Sequence, residues 1–118
     1  MSLNYTELDA KKLEFIAVAE QGEIPNGERI FVEINDHSIV IFNIAGKIFA
    51  IADVCSHDGG PLGDGEHEAD YKVTCPRHGA RFDIRSGKAL TLPAIVDIPA
   101  YPVRIKGDQV EVGIPIDS

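Results

Sequence analysis

The sequence predicts an all-β fold made of short antiparallel strands. Apolar and polar residues alternate with a period of two in several segments, and turn-forming glycine, proline, asparagine and aspartate separate these segments. No segment beyond residues 1–12 shows the period of a helix. A chain of 118 residues can bury its own core, so we expect one domain over residues 1–118.

The first half of the chain predicts one strand followed by a meander of three. Residues 13–18 form an apolar run, and Pro25-Asn26-Gly27 after them is typical of a hairpin turn. Apolar or alternating segments separated by short polar turns then predict three successive strands, at residues 30–34, 38–44 and 48–52.

The C-terminal segment predicts a hairpin, and a loop-rich segment precedes it. Two alternating segments, residues 103–106 and 109–112, flank a turn at Gly107. Residues 53–102 are rich in glycine and proline, which is typical of loops. Because loops held by a rigid β scaffold often carry function, we expect the functional site in this segment.

Composition and charge exclude several classes of function. The formal net charge is −8, which disfavours binding to nucleic acid and favours docking to a basic protein surface. Residues 1–13 lack the apolar core of a signal peptide, and runs such as residues 39–42 are too short to span a bilayer. We therefore expect a soluble protein of the cytoplasm with no membrane partner.

Both cysteines of the chain lie in the loop-rich segment, and each has a histidine close behind it. Cys55 precedes His57 in "CSH", and Cys75 precedes His78 in "CPRH". The full pattern is C-x-H, then 17 residues, then C-x2-H. In a chain with two cysteines and four histidines, two such pairs indicate a shared purpose.

Several interpretations of these pairs compete. A disulfide between Cys55 and Cys75 would leave both histidines unexplained and does not suit a reducing compartment. A nucleophilic cysteine site lacks an obvious group to orient its histidine. A structural zinc site has suitable ligands, but C-x-H is a short spacing for two ligands of one tetrahedral metal. The remaining alternative is two buried apolar cysteines with unrelated histidines.

A further interpretation divides the ligands between two iron atoms. In a [2Fe-2S] centre of mixed ligation, two cysteines hold one iron and two histidines hold the other. A cysteine and a histidine separated by one or two residues can reach two neighbouring irons, so each loop would supply one ligand to each iron. Glycines near the pairs let the loop backbones approach the sulfides and offer them N–H donors.

At these residues the sequence resembles the Rieske iron-sulfur family. "CSHDGGPLGDG" (55–65) and "CPRHGARFD" (75–83) are similar to its two cluster loops, and "SGKALTLPAIVDIPAYPVRI" (86–105) is similar to small bacterial Rieske ferredoxins. The resemblance covers residues 13–114 and implies a Rieske-type β-sandwich of antiparallel strands with a two-loop cluster-binding subdomain at about residues 53–84. It implies one [2Fe-2S] cluster per chain, bound by Cys55, His57, Cys75 and His78.

The resemblance also implies a direction for the reduction potential. Two ferric ions, two sulfides and two thiolates sum to zero charge, so the potential lies above that of all-cysteine clusters. High-potential respiratory members carry a serine and a tyrosine hydroxyl where this chain has Ala80 and Phe82, and disulfide cysteines at Gly60 and Arg77. These departures predict a potential near the lower end of the Rieske range, at roughly −150 mV.

By the same resemblance, the chain is an electron carrier and not an enzyme. Such ferredoxins take electrons from a flavin-containing NAD(P)H reductase and pass them to a terminal non-haem iron oxygenase of a ring-hydroxylating system. His57 and His78 would form the exit for the electron. No residues suggest a substrate site or a mononuclear iron site, and the chain ends soon after the cluster segment, so we expect a free-standing carrier with no small-molecule substrate. The alternatives are the small subunit of an assimilatory nitrite reductase and a ferredoxin of another redox pathway.

The remaining charged residues and histidines have simpler interpretations. Residues 53–70 contain six acids and no lysine or arginine, which indicates either a solvated loop or a docking rim for basic partner surfaces. His37 in a polar turn and His67 in the acidic loop are expected to be exposed, without a ligand role. The arginines are expected to balance nearby acids at the surface: Arg77, Arg81 and Arg85.

Overall fold

The computed structural model describes residues 5, 10–54, 67–68, 71–75, 79–92 and 97–116, with residues 10, 67 and 68 described by their backbone alone. This part of the chain contains three antiparallel sheets and short 3-10 turns at Ala10–Lys12 and Gln21–Glu23. The strands are β1 (Leu13–Glu20), β2 (Arg29–Ile34), β3 (His37–Ile44), β4 (Lys47–Ala52), β5 (His67–Glu68), β6 (Lys72–Thr74), β7 (Arg81–Asp83), β8 (Ala100–Tyr101), β9 (Val103–Lys106) and β10 (Gln109–Pro115). Within these residues, no helix has the length and apolar character needed to cross a membrane.

Two of the sheets face each other as a sandwich. The first has the order β1-β10-β9 and the second the order β2-β3-β4-β8. Alternate residues of β3 and β10, including Ile39, Ile41 and Val112, meet in an apolar core between the two sheets. Each strand gives every second side chain to this core, which is why the alternating pattern in the sequence predicts these strands.

The third sheet, β5-β6-β7, packs on the other face of the second sheet. The remaining residues of β3, Val40, Phe42 and Ile44, form a second apolar core with Val73 of β6 and Phe82 of β7. Successive side chains of a strand point to opposite faces, so β3 is buried on both. Its nearly continuous apolar sequence follows from this position between two cores.

The predicted all-β fold is confirmed. Strands β2, β3 and β4 pair in chain order as the predicted meander, and β9 and β10 form the predicted hairpin. Strand β1 extends further than predicted, to Glu20, because a register shift between Ala17 and Ala19 lets it continue along β10. The predicted turn at Pro25 forms, but it connects strands of different sheets.

The sequence does not predict strands β5 to β8. Each contains only two or three residues, which is too short for a periodic pattern to show. They exist because of tertiary pairing: β8 pairs with Ala50 and Ile51 of β4, and β6 lies between β5 and β7.

Tight turns fix the register of the second sheet. Asn35 and Asp36 between β2 and β3, and Ala45 and Gly46 between β3 and β4, all have positive φ, as in two-residue hairpin turns of the favoured twist. Asn43 supports the second turn. Its side-chain N–H donates to the carbonyl of Ile24 at 2.7 Å, and its Oδ1 accepts from the N–H of Gly46 at 3.0 Å.

Candidate metal centre

The hairpin between β6 and β7 holds Cys75. The last register pair is Thr74 with Arg81, and the N–H of Cys75 then donates to the carbonyl of Ala80 at 2.7 Å. The carbonyl of Cys75 accepts from the N–H of Gly79 at 3.1 Å. Gly79 has a φ of +75°, which glycine adopts at little cost. Two hydrogen bonds and one left-handed glycine therefore close the loop that contains Pro76, Arg77 and His78.

The sulfur of Cys75 suits a soft metal. The side chain is 1 % exposed and lies in the core between the second and third sheets. The backbone N–H and carbonyl of Cys75 both bond within the hairpin, and its thiol is the donor type that soft metals prefer. Thiolate ligands favour iron–sulfur clusters, and a buried position keeps water away from such a centre. The donor chemistry at Cys75 therefore fits the predicted cluster.

The other three predicted ligands, Cys55, His57 and His78, lie outside the described residues, as do Gly60 and Arg77. The chain leading to Cys55 is described. The N–H of Asp53 donates to the carbonyl of Ser38 at 2.9 Å, and Val54 packs against the core that contains Cys75. Val54, which directly precedes the predicted ligand Cys55, thus contacts the same apolar core as the predicted ligand Cys75.

Apolar groups surround the cysteine on the side of β7. Ala80 and Phe82 are both fully buried in the core that contains Cys75. Neither side chain carries a hydroxyl, so neither can donate a hydrogen bond to a sulfur. The structure therefore places the two departures from the high-potential pattern inside the core next to the cysteine.

Two hydrogen bonds that the sequence does not predict hold the segment after β7 in place. The N–H of Ile98 donates to the carbonyl of Gly87 at 2.8 Å, and the N–H of Ala89 donates to Oδ1 of Asp97 at 2.9 Å. A Cβ on Gly87 would lie 2.0 Å from the carbonyl oxygen of Ile98, so the close approach needs glycine. The turn at Gly87 was a visible signal in the sequence, whereas nothing there distinguishes Asp97 from other surface acids.

An ion pair braces the end of the third sheet. Arg85 contacts the carboxylate of Asp83 at 3.0 Å, and its guanidinium lies 4.6 Å from the centre of the Tyr71 ring. Burial by itself would raise the pKa of Asp83, but the hydrogen bonds and charge of Arg85 outweigh burial and hold that pKa below its ordinary value. The expectation that Arg85 balances a nearby acid is confirmed, and Arg81 is exposed as expected.

The expected exposure of His37 was wrong. His37 is the first residue of β3 and is partly buried, with Nδ1 2.9 Å from the hydroxyl of Tyr101. Burial raises the pKa of Tyr101, and Tyr5 raises it further, so this hydroxyl stays protonated and can donate to the ring nitrogen. Tyr101 belongs to the core between the first and second sheets, which places His37 away from the core of Cys75. The backbone of His67 pairs with Val73, and its side chain lies outside the described part.

Comparisons with known proteins agree with this arrangement. The profile of the Rieske [2Fe-2S] domain matches residues 14–102. The 3-phenylpropionate/cinnamic acid dioxygenase ferredoxin subunit of Escherichia coli (strain K12) is 37% identical over 93 residues, which cover 79% of this chain and 87% of that protein. The corresponding subunit of Shigella boydii serotype 4 (strain Sb227) has the same identity and coverage.

Solved structures of ferredoxins have the same fold. The ferredoxin of carbazole 1,9a-dioxygenase from Nocardioides aromaticivorans IC177 superimposes with a TM-score of 0.79 at 26% identity, covering 83% of this chain and 95% of that one. The ferredoxin of Sphingomonas yanoikuyae B1 superimposes with a TM-score of 0.78 at 27% identity, covering 86% of this chain and 100% of that one.

Three antiparallel sheets, with a buried cysteine at the end of a hairpin, define a small β domain whose cysteine suits a soft metal. The chain belongs to the Rieske [2Fe-2S] domain family. It carries one [2Fe-2S] cluster and is an electron-transfer component of the ferredoxin type, as its relatives are, rather than a catalytic subunit.

Proposed function

We propose that this ferredoxin carries single electrons, at low potential, from an NAD(P)H-dependent flavin reductase to a terminal non-haem iron oxygenase. Its Escherichia coli relative is the ferredoxin subunit of a dioxygenase, and its Nocardioides neighbour is the ferredoxin of another. A one-electron carrier also needs a donor that can divide the hydride of NAD(P)H into single electrons, and flavins supply that chemistry. We place the protein in the cytoplasm and propose that residues 1–118 form one Rieske domain.

We propose Cys55 and Cys75 as ligands of one iron and His57 and His78 as ligands of the other. The observation that carries this is the buried sulfur of Cys75, held by a hairpin that uses the residue's backbone polar groups. When bound, the cluster supplies a one-electron couple. Cys75 would hold iron through its thiolate, and the fully buried Ala80 and Phe82 share its core without offering a hydroxyl.

The ligand assignment is tested by single substitutions with a histidine control. Cys55→Ala, His57→Ala, Cys75→Ala and His78→Ala should each abolish the cluster spectrum, because each removes one iron ligand. His37→Ala should keep it, because His37 bonds to Tyr101, a residue of the other core. Electron paramagnetic resonance of the reduced protein should give the low average g value of mixed ligation, and an average typical of all-cysteine clusters would contradict the histidine assignment.

The low potential is tested by film voltammetry. Without hydroxyl donors at Ala80 and Phe82 we expect roughly −150 mV, at the lower end of the Rieske range. A measured value above about +100 mV would contradict the proposed low potential.

The partners are tested by reconstitution. The purified ferredoxin is combined with a flavin reductase and a terminal oxygenase encoded in the same genome, and substrate oxidation is followed with and without ferredoxin. We expect turnover only when all three are present. Turnover that does not need the ferredoxin would contradict the proposed role. The relatives are ferredoxin subunits of dioxygenases, which favours this role over the small subunit of a nitrite reductase.

A further inference from the structure

Two leucines lie exposed beside the hairpin of Cys75. Leu92 is 76 % exposed and Leu90 is 37 % exposed. The N–H of Leu90 donates to the carbonyl of Arg81 at 2.8 Å, and the hydroxyl of Thr91 accepts from the N–H of Arg81 at 3.0 Å. Arg81 directly follows Ala80, the residue that closes the Cys75 loop. The two leucines are therefore fastened to the strand that leaves the metal-binding hairpin.

The same part of the surface is basic, although the protein as a whole is acidic. The formal net charge of the chain is −8, yet residues 77–88 contain four cations and a single acid, Asp83. Arg85 pairs with that acid, and the side chains of Arg81 and Lys88 are exposed. Among the described residues here, the cations Arg81, Arg85 and Lys88 outnumber the acids Asp83 and Asp97 by one, so an apolar spot with a small excess of positive charge lies beside the Cys75 hairpin.

We propose that Arg81, Leu90 and Leu92, which we call the leucine patch, are a docking surface for the terminal oxygenase. The matching surface would be an apolar pocket edged by carboxylates, into which the leucines insert while Arg81 pairs with an acid. This inference rests on the proposed function. Contact at the patch would bring the partner next to the hairpin of Cys75, whose loop contains the proposed ligand His78.

Charge favours the oxygenase over the reductase at this patch. The acidic run at residues 53–70 suits a basic partner surface, whereas the leucine patch suits an acidic one. A carrier that serves two proteins in turn benefits from recognising them by surfaces of opposite charge. The surface that attracts one partner then repels the other. We therefore assign the basic and apolar patch to the electron acceptor.

The first sheet offers a matched control. Ile105 on β9 is 43 % exposed and is followed by the exposed Lys106, so this pair combines an aliphatic side chain and a cation as the patch does. It belongs to the sheet on the far side of the sandwich from the Cys75 core. Substitutions at this pair change surface chemistry in the same way without touching the patch.

The experiment follows reoxidation of chemically reduced ferredoxin by the terminal oxygenase that supports turnover in the reconstituted system. Leu90→Ser with Leu92→Ser should raise the oxygenase concentration at half-maximal rate by roughly tenfold, and Arg81→Gln by roughly threefold. Leu92→Met should keep the wild-type value because it stays apolar. Ile105→Ser and Lys106→Gln should also keep it. The cluster spectrum and reduction potential of each variant are measured alongside, so that a changed cluster is not mistaken for lost docking.

Specific results would overturn the inference. Equal half-saturation for the double leucine variant and for Ile105→Ser would show that the patch does not dock the oxygenase. If the double leucine variant is impaired only in its reduction by the flavin reductase, the patch binds the electron donor instead. If the wild-type ferredoxin supports no turnover with any oxygenase of its genome, the proposed function itself fails. If the wild type supports turnover and the patch variants keep its half-saturation, only the docking inference fails.

Discussion

Ala80 is a single position at which the structure connects a side chain to the redox chemistry. It is fully buried, and its carbonyl accepts the N–H of Cys75. A hydroxyl introduced at this position would have the sulfur of the neighbouring cysteine as a potential acceptor. Because a donor to sulfur stabilises the reduced, more negative cluster, the residue type at position 80 should influence the reduction potential.

We expect Ala80→Ser to raise the reduction potential. A hydrogen bond worth about 1 kcal/mol more in the reduced state corresponds to a shift of roughly 40 mV for one electron. Film voltammetry of the wild type and the variant measures this shift. Ala80→Gly, which changes side-chain volume without adding a donor, is the control, and an unchanged or lower potential for the serine variant would refute the hydrogen-bond argument.

Gly87 is a second residue whose identity is dictated by geometry. Gly87→Ala should lower the free energy of unfolding by about 2 to 4 kcal/mol, because it combines a left-handed backbone with overpacking against the carbonyl of Ile98. Gly107→Ala is matched in backbone conformation, with positive φ and open space around the new Cβ, and should cost only about 1 kcal/mol. Denaturant unfolding of the two variants checks the difference, and equal costs would mean that the segment around Ile98 moves away freely.

Among the elements, the turn between β3 and β4 depends on a buried side chain. Asn43→Ala should destabilise the protein by about 2 to 3 kcal/mol, because it removes a donor to Ile24 and an acceptor for Gly46. Asn26→Ala removes one hydrogen bond, from the N–H of the neighbouring Ala45, at an exposed site and should cost less than about 1 kcal/mol. Thermal unfolding of both variants tests this order. A larger loss for Asn26→Ala would contradict the role given to Asn43.

The strands themselves were predictable in proportion to their length. Strands β2, β3, β4, β9 and β10 are four to eight residues long, and their alternating or continuously apolar sequences predict them. Strand β8 has two residues, Ala100 and Tyr101, and exists because β4 offers it a free edge. The environment of His37 also depends on a residue that is distant in the sequence. Its neighbours Asn35 and Asp36 form the turn, but only the fold brings Tyr101, 64 residues later, to its ring.

Over the whole molecule, the acidic charge should govern the approach of a basic donor. The net charge is −8, and six acids lie within residues 53–70. We expect the rate of ferredoxin reduction by its cognate reductase to fall as salt rises, because added ions screen attraction beyond about 10 Å at 0.1 M. Stopped-flow measurements over a range of ionic strength check this. A rate that is insensitive to salt would exclude docking through the acidic run.

The sequence by itself determined the class of site. Cysteine–histidine pairs spaced C-x-H and C-x2-H select the metal centre through ligand chemistry, and this information is local to each loop. For the same reason the absence of hydroxyls at Ala80 and Phe82 could be noted without a structure. Of the four proposed ligands, Cys75 is the one that the described structure locates, so the complete ligand set stays a prediction.

The tertiary structure alone decided what surrounds that site. It buried Cys75 between two sheets, joined Gly87 to Ile98, and left Leu92 exposed beside Arg81. These relationships join residues about ten apart or more, through backbone hydrogen bonds and packing. They depend on how the strands pair and how the sheets pack. Sequence periodicity shows which face of a strand is apolar, but it does not show which surface will cover that face.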